Sequence, residues 1–162
     1  MDKTKLLERL EHEGQQASDF FLQLEENDWT VQIYSDDDVW TAHQILAHFV
    51  SIERSFQWLI DNILSGGPGT PKEFDLDRFN KEQVSTLQDL SRQELLAAFQ
   101  TERAATLSQT SRYHPDDLLK EGNHPYFGQS SVEDLLRLLY RHNKLHIREI
   151  RRTLTGHATA AP

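Results

Sequence analysis

Apolar residues recur at helical spacing in four separate stretches of this chain, and no stretch alternates as a strand would. The first, from about Lys3 to Glu26, carries Leu6, Leu7, Leu10, Ala17, Phe20, Phe21 and Leu24 in one stripe. The second, from about Thr41 to Leu64, has a wider face of Ile45, Leu46, Phe49, Ile52, Phe56, Leu59, Ile60 and Ile63. The third runs from Ser91 to about Thr110 through Leu95, Leu96 and Phe99. The fourth runs from Ser130 to about Leu154 on Val132, Leu135, Leu136, Leu139, Ile150 and Leu154. Thr41 with Gln44, Ser91 with Glu94 and Ser130 with Glu133 have the spacing of capping boxes, in which two side chains satisfy two orphan backbone donors. The pattern predicts an all-α, four-helix bundle.

Three long connections separate these helices. Asn27 to Trp40 is acidic and aromatic and ends in Asp36, Asp37 and Asp38. Ser65 to Leu90 opens on Ser-Gly-Gly-Pro-Gly-Thr-Pro, a strong helix stop. Ser111 to Gln129 holds Tyr113, His114, His124, Pro125, Tyr126 and Phe127. Connections of this length are expected to be crossovers or walls of a site. No internal repeat or low-complexity tract is visible, and the tail from about residue 155 is expected to fray.

Length changes the picture little: 162 residues suit a single domain spanning 1–162, with enough chain to bury a core. Composition narrows the chemistry more. The absence of cysteine excludes disulfides and thiolate metal sites, so a nucleophilic sulfur would have to arrive with a substrate. A net charge of -9 argues against a nucleic-acid partner. No apolar run reaches the roughly 20 residues of a membrane span, and the N-terminal residues lack the apolar core of a signal peptide. A cytoplasmic protein without a membrane partner is expected. Eight histidines against one methionine is the unusual feature.

His142 and His146 lie four apart on the fourth helix, so they point almost the same way, inside the apolar stripe. Two imidazoles side by side in a core are costly unless something pairs them. A metal ion bound by neutral imidazoles would do so, and so would carboxylates on neighbouring helices. His48, at one edge of the second helix's apolar face, supplies a candidate third ligand for an open site. Glu149, three residues after His146, is a candidate fourth ligand, a partner fixing an imidazole tautomer, or a core-edge salt bridge. Glu53, on the opposite edge of its helix from His48, is expected to pair with an arginine. His43, His114, His124, His12 and His157 are expected in solvent, and Trp29, Trp40 and Trp58 in the core or at its edge.

The stretch Trp40-Thr41-Ala42-His43-Gln44-Ile45-Leu46-Ala47-His48, closing with Glu53, resembles the second-helix motif of the DinB/YfiT-like family. His142-Asn143-Lys144-Leu145-His146-Ile147-Arg148-Glu149-Ile150 resembles its fourth-helix HxxxHxxxI motif. The likeness extends over the whole chain in element order and histidine spacing. It implies a DinB/YfiT-like bundle with long crossover connections and a metal triad at His48, His142 and His146. Many members carry glutamine where Glu149 stands here. The resemblance implies a broad range of function. Some members are S-transferases or isomerases that use low-molecular-weight thiols such as bacillithiol or mycothiol, and others are presumed metal-dependent hydrolases.

Three neutral ligands leave an ion its full charge and an open position, where water or a thiol becomes acidic toward neutral pH. The leading expectation is a metal-dependent S-transferase that uses a small thiol cosubstrate against a small electrophilic substrate. A metal-dependent hydrolase and a non-catalytic metal or small-molecule binding protein are the alternatives. Zinc and nickel both suit three imidazoles, and a homodimer is the default for a partner subunit. The stretch Ser111 to Gln129 is expected either to wall the pocket over the metal or to cap one end of the core.

Overall fold

The computed structural model describes residues 2–35 and 38–159. Five helices are present among them: α1 (Lys3–Leu22), α2 (Ala42–Leu64), α3 (Leu76–Thr86), α4 (Arg92–Arg112) and α5 (Val132–Thr159). The long helices α1, α2, α4 and α5 form the bundle. Of the three expected capping boxes, two form as read. Thr41 Oγ1 accepts from Gln44 N at 3.3 Å while Gln44 Oε1 accepts from Thr41 N at 2.9 Å, and Ser91 and Glu94 make the same exchange. The third is shifted by one residue. Ser131, not Ser130, accepts from Asp134 N at 3.1 Å, because β4 runs through Ser130 to Ser131 and α5 begins at Val132, while Glu133 pairs instead with Arg137.

Two elements depart from an all-helical reading. Short antiparallel hairpins, β1 (Gln32–Ser35) with β2 (Asp38–Thr41) and β3 (Glu121–His124) with β4 (Gly128–Ser131), occupy the first and last long connections. Strands of four residues, rich in Gly, Asn and Ser in the second hairpin, are too short to show a period of two. The middle connection contains α3, which is short and has just three apolar positions, Leu76, Phe79 and Val84, of which Val84 alone is buried. Helix α5 continues to Thr159 rather than ending near Leu154. Asp36, Asp37, residues 160–162 and the side chain of His157 lie outside the described residues.

The hairpins exist because of how the helices are connected. Helix α1 packs on α4 and α5, and α2 packs on the same two, so α1 faces α2 and α4 faces α5 across the bundle diagonals. Residues 23–41 and 113–131 each cross a diagonal in 19 residues, and each does so with a 3₁₀ turn followed by a hairpin. The element order helix, 3₁₀ turn, hairpin, helix therefore occurs twice, although no sequence repeat marks it. The middle connection is tied to the second hairpin at Gly69. There φ is +84°, and a Cβ would lie 2.5 Å from Asn123 N, so only glycine allows the close backbone pairing. None of the helices among the described residues is long and apolar enough to cross a membrane.

The core divides into two apolar clusters. One gathers Phe21, Trp29, Phe49, Phe99 and Ile150, and the other Leu6, Leu10, Phe56, Ile60, Leu135 and Leu136. Between them lies a polar layer. Glu53 on α2, fully buried, accepts from Arg103 Nε at 2.7 Å and Nη2 at 2.5 Å, and from Thr106 Oγ1 at 2.7 Å. Arg103 Nη1 donates to Leu10 O on α1 at 2.7 Å. Asn143 on α5, with its amide oxygen toward Arg103, accepts from Nη2 at 3.0 Å and donates to Leu139 O at 3.2 Å. Gly14 makes room for this layer, since a Cβ there would stand 2.9 Å from Arg103 Cγ. The arginine expected for Glu53 is thus Arg103, and its guanidinium touches all four bundle helices.

Removing one member of a buried pair strands the other charge, which costs about 3–5 kcal/mol, whereas replacing both by apolar residues is often neutral. Glu53→Ala should therefore lower the unfolding free energy in urea by about that amount, and Glu53→Leu combined with Arg103→Met should recover most of it. A loss below about 1 kcal/mol in the single variant would mean that the pair behaves as a solvated one.

Candidate metal centre

The capping box at Thr41 starts α2 so that His48 falls on its inner face, and the long stripe of α5 carries His142 and His146 to the same level. The three candidate ligands come together: one nitrogen from each lies within 4.8 Å of the others. His48 Nε2 is 3.3 Å from His142 Nε2, and His146 Nε2 is 2.9 Å from it. Ligand nitrogens on a tetrahedral ion with bonds of ~2.0–2.1 Å lie roughly 3.3 Å apart, close to these separations.

The protonation pattern sharpens the arrangement. Glu149 Oε2 lies 3.1 Å from His146 Nδ1. A carboxylate can only accept, so Nδ1 carries the proton and Nε2 presents a lone pair to the cluster. Glu149 therefore takes the role of tautomer-fixing partner among those the sequence left open. His48 Nδ1 is buried with no hydrogen-bond partner among the described residues, so its only engaged nitrogen faces the cluster. One N–H on His142 Nε2 could satisfy His146 or His48 but not both well. A cation accepts all three lone pairs, so the donor set fits a divalent ion.

Burial keeps His48 and His146 neutral. Desolvation holds His48 well below the usual histidine value, helped by His142 and His146, and lowers His146 to about 4. Trp40 packs edge-on against His48 with ring centroids 4.8 Å apart and closes one side.

The cluster opens into a cavity of about 990 Å³ between α2 and α5, covered by α3, residues 70–74 and the β3–β4 turn. Its lining is mostly apolar: Ile52, Phe56, Leu59, Phe74, Phe79, Leu138 and Leu145 among others. The expected wall is present in part. Tyr126 and Phe127 line the cavity, whereas Tyr113 packs on the apolar cluster that holds Leu6 and Leu10, and His114 is exposed. Several positions differ from expectation. His124 is buried in the cavity wall, because its Nδ1 accepts from Tyr126 N and Phe127 N in the turn. His43 is half-buried and bonded to Leu90 O at 2.8 Å. Trp58 is 59% exposed and forms part of the cavity rim rather than the core. Arg141 and Thr70 also line the cavity and were not anticipated. The repeated His-Pro pair at 114–115 and 124–125 marks a shared local contact, since at both places the imidazole Nδ1 accepts a backbone N–H two residues on, but it does not separate the exposed His114 from the buried His124.

Fold and cluster together define a class: a four-helix bundle of diagonal connectivity with three inward histidines on its second and last long helices. The chain belongs to the DinB superfamily, whose model matches residues 5–150. Among solved structures it is similar to YfiT from Bacillus subtilis, described as a probable metal-dependent hydrolase with an unusual four-helix bundle topology. The identity is 16%, the TM-score 0.77, and the match covers 96% of this chain and 87% of that one. It is similar to the mycothiol-dependent maleylpyruvate isomerase at 13% identity and TM-score 0.74, over 93% of this chain and 61% of that one. It is also similar to the colibactin self-resistance protein ClbS, solved in complex with double-stranded DNA, at 9% identity and TM-score 0.71, over 93% and 95% of the two chains. At these identities the likeness shows the fold. Curated proteins yield no match.

The neutral burial of His146 has a pH consequence. Its pKa is about 4 in the folded protein against an ordinary 6.5, so between these values the unfolded chain binds a proton that the folded one excludes. Stability is thus full above the ordinary histidine value and is lost as the pH falls toward 4, by about 1.4 kcal/mol per pH unit for each such group. Chelator-treated protein should melt at progressively lower temperature over this range, and His146→Gln should flatten the slope. A wild-type melting temperature constant across it would contradict a neutral buried cluster.

Proposed function

We propose that the protein is a metal-dependent enzyme in which His48, His142 and His146 hold one divalent ion, zinc or nickel, and that an external low-molecular-weight thiol is the nucleophile against a small organic electrophile. The observation that carries this reading is the convergence of three imidazole nitrogens within 4.8 Å of one another, with His142 Nε2 3.3 Å from His48 and 2.9 Å from His146 and the His146 tautomer fixed by Glu149. A divalent ion held there would supply Lewis acidity, lowering the pKa of a thiol or water toward neutral.

The protein's own residues do the remaining work. Glu149 holds the His146 ring and its Nδ1 proton, so the ligand lone pair points one way only. Trp40 and Phe49 pack against the histidine rings and restrict water from that side. The apolar cavity contributes binding energy to an organic substrate and orients it over the cluster. The chain has no cysteine of its own, in keeping with a thiol brought as cosubstrate. A net charge of -9 favours small molecules over nucleic acid as partners. Of two similar structures, one is described as mycothiol-dependent, in keeping with a thiol cosubstrate, and one as a probable metal-dependent hydrolase, in keeping with a metal. The second name favours water as the nucleophile in place of a thiol, and that is the second reading.

His142→Ala should abolish stoichiometric metal in protein purified without chelator or nickel resin, measured by elemental analysis, while His114→Ala should leave it unchanged. Full metal content in the His142 variant would overturn the ligand assignment. Binding only to the native state stabilises by mass action, so chelation should lower the melting temperature. Turnover of a generic electrophile such as a chlorodinitroarene should need both metal and added thiol. Hydrolysis of a generic ester with metal and water alone would instead favour the second reading.

A further inference from the structure

At the far end of the cavity His124 is 7% exposed and sits in a setting unlike that of the three clustered histidines. Its Nδ1 accepts two backbone N–H groups of its own turn, from Tyr126 at 3.2 Å and Phe127 at 3.3 Å. A nitrogen that accepts cannot carry a proton, so the remaining proton of the neutral ring sits on Nε2. Protonating Nδ1 would break both turn contacts, which holds the ring neutral, and burial lowers its pKa to about 4 in agreement. Nε2 has no hydrogen-bond partner among the described residues, and it is not among the sealed polar atoms of the interior. It is therefore a donor whose direction is fixed by the backbone and whose acceptor is missing.

The ring rests on Phe56, with centroids 5.7 Å apart, and on Phe127, at 5.3 Å. Phe56 is eight residues beyond His48 on α2, about 12 Å along the helix axis, so the His124 ring that packs on it stands at that level, away from the histidine cluster. Ile52 fills the wall between them. Thr70 is held beside His124 by the backbone bond from Thr70 N to Asn123 O at 2.8 Å, and its side chain also lines the cavity.

We propose that His124 anchors the end of the substrate remote from the reacting group, by donating Nε2–H to an uncharged carbonyl oxygen such as that of an amide or ketone. The substrate class is accordingly an extended, mostly apolar molecule with its electrophilic group at the histidine cluster and a carbonyl roughly 12 Å away. A carboxylate is disfavoured as the partner of the ring itself, because a fixed neutral N–H gives it no countercharge. The assignment rests on the metal reading for the position of the reacting group, but the donor itself does not need the ion.

The test uses suberanilohydroxamic acid, which joins a metal-binding hydroxamate to an anilide through an alkyl chain, its analogue with methylene in place of the anilide carbonyl, and octananilide, which has no metal-binding group. Affinities are measured by calorimetry on zinc-loaded protein and, for octananilide, on chelator-treated protein as well. His124→Asn is the informative variant. Its side-chain oxygen can accept the same two turn N–H groups, so the hairpin and the melting temperature should be preserved while the Nε2–H is lost. His124→Phe, which loses both, should lower the melting temperature. We expect octananilide to bind the native protein with or without zinc, and more weakly by roughly fivefold in the Asn variant. The affinity ratio of the anilide hydroxamate to its methylene analogue should fall by the same factor. An unchanged ratio in a folded Asn variant, or no octananilide binding by the native protein, overturns the anchor. Loss of hydroxamate binding alone, with the octananilide effect intact, would overturn the metal reading and leave the anchor standing.

Discussion

A charge buried without a partner would cost a domain of this size a large share of its stability, and the bundle is arranged around the one guanidinium it buries most deeply among the described residues. Arg103 reaches Glu53 on α2, Leu10 O on α1 and Asn143 on α5 from its own place on α4. Each contact requires a particular axial position, so the group sets the register of all four helices at one level. Gly14 and Thr106 complete that level, one by leaving space and the other by a hydrogen bond. The histidine cluster sits against it. Asn143 lies between His142 and His146 in sequence, and Glu53 is little more than one turn beyond His48. A slip of α5 against α2 would break the network and separate the three imidazoles together. Two apolar clusters could slide past one another at modest cost, whereas this polar layer cannot.

The connectivity serves the same end. Helices joined by short loops would be neighbours, but here successive long helices α1 and α2, and later α4 and α5, stand on diagonals. The 19-residue crossings that result place a hairpin beside α2 and α5 at each end of the chain. One supplies Trp40 against the cluster. The other supplies His124, Tyr126 and Phe127 to the cavity. Site walls are thus a consequence of topology: the chain needed long crossings, and those crossings carry the aromatic residues. The bundle holds the cluster rigid, and the crossings and α3 shape what can reach it.

Much of this was legible in the sequence, for physical reasons. Helical stripes and capping boxes are local, so four bundle helices and two of three boxes could be read directly. His142 and His146 stood inside a stripe where two polar rings demand an explanation, and His48 stood on an apolar edge. Glu53 was expected to find an arginine, but which one depends on long-range packing, as does the role of Asn143. Helix α3 is not legible because it has 11 residues and three apolar positions, Leu76, Phe79 and Val84, too few to set a period. The four-residue strands were too short for a period to appear. His124 and Trp58 exchanged their expected places, one buried and one on the rim. Burial in a crossing is decided by which turn the backbone makes. The His-Pro pair pointed to that turn only once its Nδ1 contacts were seen.

The central claim is that three imidazoles from α2 and α5 bind one ion through their Nε2 atoms. X-ray absorption at the metal edge of protein loaded with one equivalent of zinc tests it most directly. The account predicts a first shell of nitrogen or oxygen near ~2.0–2.1 Å with outer-shell scattering from three imidazole rings, reduced by one ring in His48→Ala. A first shell without imidazole scattering, or a spectrum unchanged by loss of His48, would contradict it.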